Sequence, residues 1–118
     1  MNDEKLLQIL AKTWQAYLRQ QGHFLYKTYD EQLYKSRNSN RTRYNWLLLI
    51  SKEPVRHLQH RELDHIRSVM EHTSQKNERC YLVAGFAIEQ PRIVVLPVSK
   101  AVKTGFIQAD VGGIDWDI

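Results

Sequence analysis

Apolar positions follow two kinds of spacing along the chain, and each predicts a different element. From Asp3 to Gln21 they recur every three or four residues (Leu6, Leu7, Leu10, Trp14, Tyr17, Leu18), which gathers them on one face of a helix. Lys5, Gln8, Lys12, Gln15 and Arg19 fall on the opposite, wet face; Asn2 or Asp3 caps the start and Gly22 ends it. A second helix is expected from His57 to Gln75, with Leu63, Ile66, Val69, Met70 and Thr73 inward. Between the helices the pattern shortens. Phe24–Tyr29 and Gln32–Arg37 read as strands joined by an Asp30-Glu31 turn, and Asn38-Ser39-Asn40-Arg41 as a loop. Tyr44–Ser51 has a continuous apolar centre, as a strand buried on both faces requires, and Pro54 stops that ladder.

The remaining organisation centres on Cys80–Pro97, CYLVAGFAIEQPRIVVLP. Two β-branched and aromatic runs, Tyr81–Ile88 and Ile93–Leu96, flank the turn Glu89-Gln90-Pro91-Arg92, which predicts an antiparallel hairpin with Phe86 and Val94 in the core. Gly85 marks a bulge or a close neighbour. Ser99–Lys103 is expected to make one helical turn released by Gly105, followed by extended pieces at Phe106–Val111 and Ile114–Trp116. No linker, repeat or low-complexity tract interrupts the 118 residues, so the whole span is expected to form one α/β domain. Its fold class is a mixed, largely antiparallel sheet flanked by two main helices, in the order αβββαββ.

That order, from about Asp3 to Pro97, resembles the core of the restriction-endonuclease-like PD-(D/E)XK nuclease superfamily. The resemblance implies an acidic residue near the second strand and a (D/E)-x-K on the third, together binding a divalent metal such as magnesium or manganese. Asp30 and Lys52 take the first and last of these places as candidate catalytic residues, but Ile50 stands where the motif needs a carboxylate. Isoleucine offers no oxygen to a hard cation. The resemblance therefore implies either a domain of this fold without catalysis and without a metal cofactor, or a nuclease whose carboxylate has moved, with Glu62 and Asp64 as candidates.

Charge adds a second line. The net charge of +4 is the sum of +5 over residues 1–60 and −1 over 61–118, so a polyanion is expected to meet the first half. Lys35, Arg37, Arg41 and Arg43 follow one another without an intervening acid, among Tyr34, Tyr44 and Trp46. Such a run offers cations to phosphates and rings to bases, and its alternative reading is a solvated edge that resists aggregation. The expected nucleic-acid-binding residues are thus Tyr34, Lys35, Arg37, Arg41, Arg43 and Tyr44.

Other chemistry is weaker. His57, His60, His65 and His72 lie near Asp64 without forming HExxH, so no metal site is assigned. Ser51, Ser99 and Cys80 lack a nucleophile context, and Cys80 reads as a core residue. Asp110, Asp115 and Asp117 read as metal ligands or, as easily, as an exposed acidic edge, and Gly112-Gly113 as a turn. One cysteine, no membrane-length apolar run and no signal-peptide layout lead to a cytoplasmic expectation. The function expected is nucleic-acid contact by a non-catalytic nuclease-like domain; the alternatives are a metal-dependent nuclease and a module that binds a protein partner or its own copies.

Overall fold

A computed structural model describes residues 1–26, 30–110 and 112–118. Asp3–Gln20 forms α1, capped by the Asn2 side chain, which accepts from Lys5 N at 2.8 Å. Its end is closed by a glycine turn: His23 N–H donates to Leu18 O (2.9 Å) and Gly22 N–H to Arg19 O (3.0 Å), with Gly22 at φ 83°. Strands β1 (Phe24–Tyr26), β2 (Leu33–Arg37) and β3 (Arg43–Ser51) follow as an antiparallel meander. The rest of the first expected strand, residues 27–29, and the expected extended position Val111 lie outside the described residues.

The second helix begins later than its apolar spacing predicts. Val55–His57 is a short strand, β4, and α2 runs from His60 to Gln75. The start is fixed by Glu62, whose Oε1 accepts the Gln59 N–H at 3.1 Å while Oε2 binds Arg56 at 2.6 Å. β5 (Arg79–Phe86) and β6 (Arg92–Pro97) make the expected hairpin, and α3 (Val98–Thr104) ends at Gly105, φ 77°. β7 (Phe106–Gln108) pairs with β4 in a separate two-stranded sheet, and β8 (Ile114–Asp115) pairs with β6.

The main sheet has the order β1-β2-β3-β5-β6-β8, with β3 and β5 parallel and the other neighbours antiparallel. The parallel pair follows from the α2 crossover, since two parallel strands cannot be joined by a tight turn. One face packs under α1: Leu6, Leu10, Trp14 and Leu18 meet Trp46, Leu48, Val83, Ile93 and Trp116. The other packs under α2 and α3, with Ile66, Val98 and Ala101 against Leu47, Leu49, Leu82, Ala84 and Phe86. Trp46–Leu49 are all buried, as a strand covered on both sides requires. Phe86 is fully buried; Val94 is only half-buried, because its strand lies nearer the sheet edge. Gly85 keeps continuous register with both neighbours, so it is not a bulge: a Cβ there would stand 2.8 Å from the Trp116 ring.

Candidate nucleic-acid interface

Alternation along β2 and β3 sorts the hairpin side chains onto two faces. Tyr34 and Tyr44 pack against the core beneath α1. Lys35, Arg37 and Arg43 alternate with them and face the other way, joined by Phe24 and Tyr26 of β1, whose registers are Phe24↔Arg37 and Tyr26↔Lys35. Tyr26, Arg37, Arg41 and Arg43 line one notch of about 270 Å³. The Arg37 guanidinium lies 4.6 Å from the Phe24 ring centroid, a cation–π contact that steadies it. The expected residues are therefore brought together in part: the cations share a face, and the two tyrosines stand on its reverse.

The loop between β2 and β3 holds Arg41 by backbone geometry. Asn38 Oδ1 accepts the N–H of Asn40 (3.0 Å) and of Thr42 (2.9 Å), and Arg41 N–H donates to Asn38 O at 3.0 Å. This tight arrangement puts Arg41 in the left-handed region, φ 65°, where a Cβ is unfavourable.

Glu78 is a participant that the sequence does not announce. It sits 3.8 Å from Lys35 Nζ and 3.8 Å from Arg43 Nη1, and accepts from Asn45 Nδ2 at 3.0 Å. α2 delivers it through a left-handed Asn77 (φ 57°): Glu78 N–H donates to Thr73 O and Asn77 N–H to Ser74 O. Glu78 thus sets one carboxylate beside two cations of the face, Lys35 and Arg43.

The candidate catalytic residues lie at the other end of β3. Asp30 precedes the end of β2 that pairs with Leu47, which puts it at the same end of the sheet as Ile50 and Lys52. Its Oδ1 accepts the Gln32 N–H at 2.8 Å, closing the turn. Lys52 Nζ pairs with Asp3 of α1 at 3.0 Å, in an exposed ion pair. Ile50 packs against the core under α1. Glu62 is engaged by Arg56, and Asp64 by His60 (3.6 Å) and Arg67 (3.4 Å), so neither carboxylate pairs with Lys52. Among the described residues no three His, Cys, Asp or Glu side chains converge on a metal-sized site. Burial pushes the Cys80 thiol up to about 11, leaving it protonated at neutral pH and a poor nucleophile.

No protein-family model matches the sequence, and no curated protein matches it. Three-dimensional comparison does find likenesses in shape: with β4 apart in its own sheet, the α1-β1-β2-β3-α2-β5-β6 arrangement is that of the restriction-endonuclease-like fold. A matching solved structure is Hjc of Archaeoglobus fulgidus, a Holliday junction resolvase from an archaeal hyperthermophile. It superposes with a TM-score of 0.57 at 13% identity, over 76% of this chain and 70% of that one. Among the described residues no helix is long and apolar enough to cross a membrane.

Proposed function

We propose that this chain is a nuclease-like-fold domain that contacts nucleic acid through the β1–β2–β3 face and does not cleave it. The observation that carries the reading is the convergence of Arg37, Arg41 and Arg43 on one notch beside Tyr26. Guanidinium groups so grouped match phosphate oxygens, and a fold shared with a Holliday junction resolvase supports a nucleic-acid partner. The absence of cleavage rests on Ile50 at the motif's acidic position and on Lys52 being turned to Asp3.

Fluorescence anisotropy of labelled duplex and single strands over a salt series tests the binding. Affinity falling steeply with salt is expected; no binding at low salt would leave a protein-partner module as the better reading. In parallel, DNA and RNA should survive incubation with magnesium or manganese. Cleavage that disappears in Asp30→Asn or Lys52→Ala would overturn the non-catalytic half and restore the metal-dependent nuclease.

Arg41 separates stability from binding. Arg41→Gly relieves a left-handed backbone at the entropic cost of a glycine, so stability should hold or rise by up to about 1 kcal/mol. The same change should lower the slope of log affinity against log salt for duplex by about 0.9. Urea melts and the salt series check the two halves, and a loss of stability would show that the loop geometry does not strain Arg41.

A further inference from the structure

The reverse of the cationic face carries a second concavity, of about 650 Å³, between the end of α1 and the β6–β8 edge. Its floor is aromatic because Tyr44 and Trp46 are two apart on β3 and Tyr81 stands opposite Trp46 on β5. The rings are nearly parallel: Tyr44 and Trp46 lie 5.3 Å apart at 9°, and Trp46 and Tyr81 5.3 Å apart at 24°. His23 adds a tilted ring 5.1 Å from Tyr44.

The polar groups at this floor are fixed. Ser36, fully buried, accepts from Trp46 Nε1 at 2.8 Å and lies 2.8 Å from His23 Nδ1. The Ser36 hydroxyl keeps one lone pair and its proton beyond the indole contact, so it serves His23 Nδ1 as donor or acceptor according to the ring's tautomer. Burial holds His23 below its ordinary pKa, so the ring is neutral at pH 7. Among the described residues no Asp, Glu, Lys or Arg lines the cavity. An uncharged, aromatic-floored cavity with a few fixed polar groups suits a flat neutral ring and disfavours a phosphate, whose charge would have no partner inside.

The rim links the two faces. Asn38 and Ser39 line this cavity, and Arg41, two residues beyond Ser39, lines the cationic notch. That step spans at most about 7.6 Å of chain. We infer that the groove is a stacking site for an unpaired base of a strand whose phosphates lie on Arg41 and its neighbours. This rests on the nucleic-acid reading above, and it names single-stranded or locally unpaired nucleic acid as the preferred ligand class.

The test compares a labelled oligothymidylate with an abasic strand of equal length, which keeps the phosphates and removes the rings. Duplex is titrated in the same salt. The parent should bind oligothymidylate at least about fivefold more tightly than the abasic strand. Tyr44→Leu and, separately, Tyr81→Leu keep apolar volume and remove a ring face. Each should erase that ratio, Tyr81→Leu should leave duplex affinity unchanged, and His23→Gln, on the rim of the same floor, should reduce the ratio. Equal affinities for the two strands in the parent, or a ratio that survives both leucine variants, would overturn the stacking site while duplex binding still upheld the cationic face. A groove covered instead by a second copy would show as a parent dimer dissociated by Tyr81→Leu in sedimentation, and would also overturn it. Binding to none of the three nucleic acids removes this inference and the reading beneath it together.

Discussion

Gly85→Ala is expected to destabilise the protein by about 1–3 kcal/mol, and Gly85→Val by more, enough to consume much of a typical domain's 5–15 kcal/mol. A Cβ at this position would meet two Trp116 ring atoms at 2.8 and 2.9 Å and a Leu10 methyl at 3.1 Å. None of these neighbours can retreat easily. Trp116 is 2% exposed and Leu10 fully buried, both inside the core under α1. The glycine is therefore where the chain's last strand locks onto the sheet: its missing side chain is the seat for the Trp116 indole. Urea denaturation measures the loss. Trp116→Leu should itself destabilise, yet the double variant with Gly85→Ala should cost less than the sum, because the smaller ring-free side chain vacates the seat. A Gly85→Ala protein as stable as the parent would show that Trp116 packs elsewhere.

The Gly85 contact shows what a sequence can and cannot disclose. A glycine within an apolar run signals a close approach, but the partner lies far along the chain in a short segment with no periodicity of its own. The same holds for β4, three residues long and too short for alternation to register: its last residue, His57, reads as the first of a helix whose actual start is set by Glu62, whereas β7 falls within the extended piece expected at Phe106–Val111. The α1 stripe, β3 and the β5–β6 hairpin were legible because their apolar patterns are long. At the candidate site, the alternation of Lys35 and Arg37 with Tyr34 and Ser36 already separates the cations from the tyrosines. Phe24 and Tyr26, which share the cationic face, carry the same period-two signal on β1. Glu78 had no such signal. It reaches Asn45 from 33 residues away by way of a left-handed helix end, which no local pattern encodes.

Glu78 also changes what removal of the cations should do. If Lys35, Arg37, Arg41 and Arg43 each neutralised a duplex phosphate, replacing all four by alanine would lower the salt slope by up to about 3.6. Lys35 and Arg43 already face Glu78, so part of their charge is committed within the protein. The expected fall lies between about 1.8, for Arg37 and Arg41 alone, and that upper value. Affinity itself should fall further than the slope implies, because the variant leaves the Glu78 carboxylate on a face meant for phosphates. Glu78→Gln is the complementary arm. It removes the competing charge and keeps an amide oxygen to accept from Asn45, so duplex binding should tighten and the slope should steepen. Replacing four cations elsewhere (Lys5, Lys12, Arg19 and Lys100, all exposed) should do much less, which separates a local phosphate site from the effect of net charge. Anisotropy over a salt series reads every arm. Equal losses from the two fourfold variants, or weaker binding by Glu78→Gln at full stability, would remove the cationic face from the function of this protein.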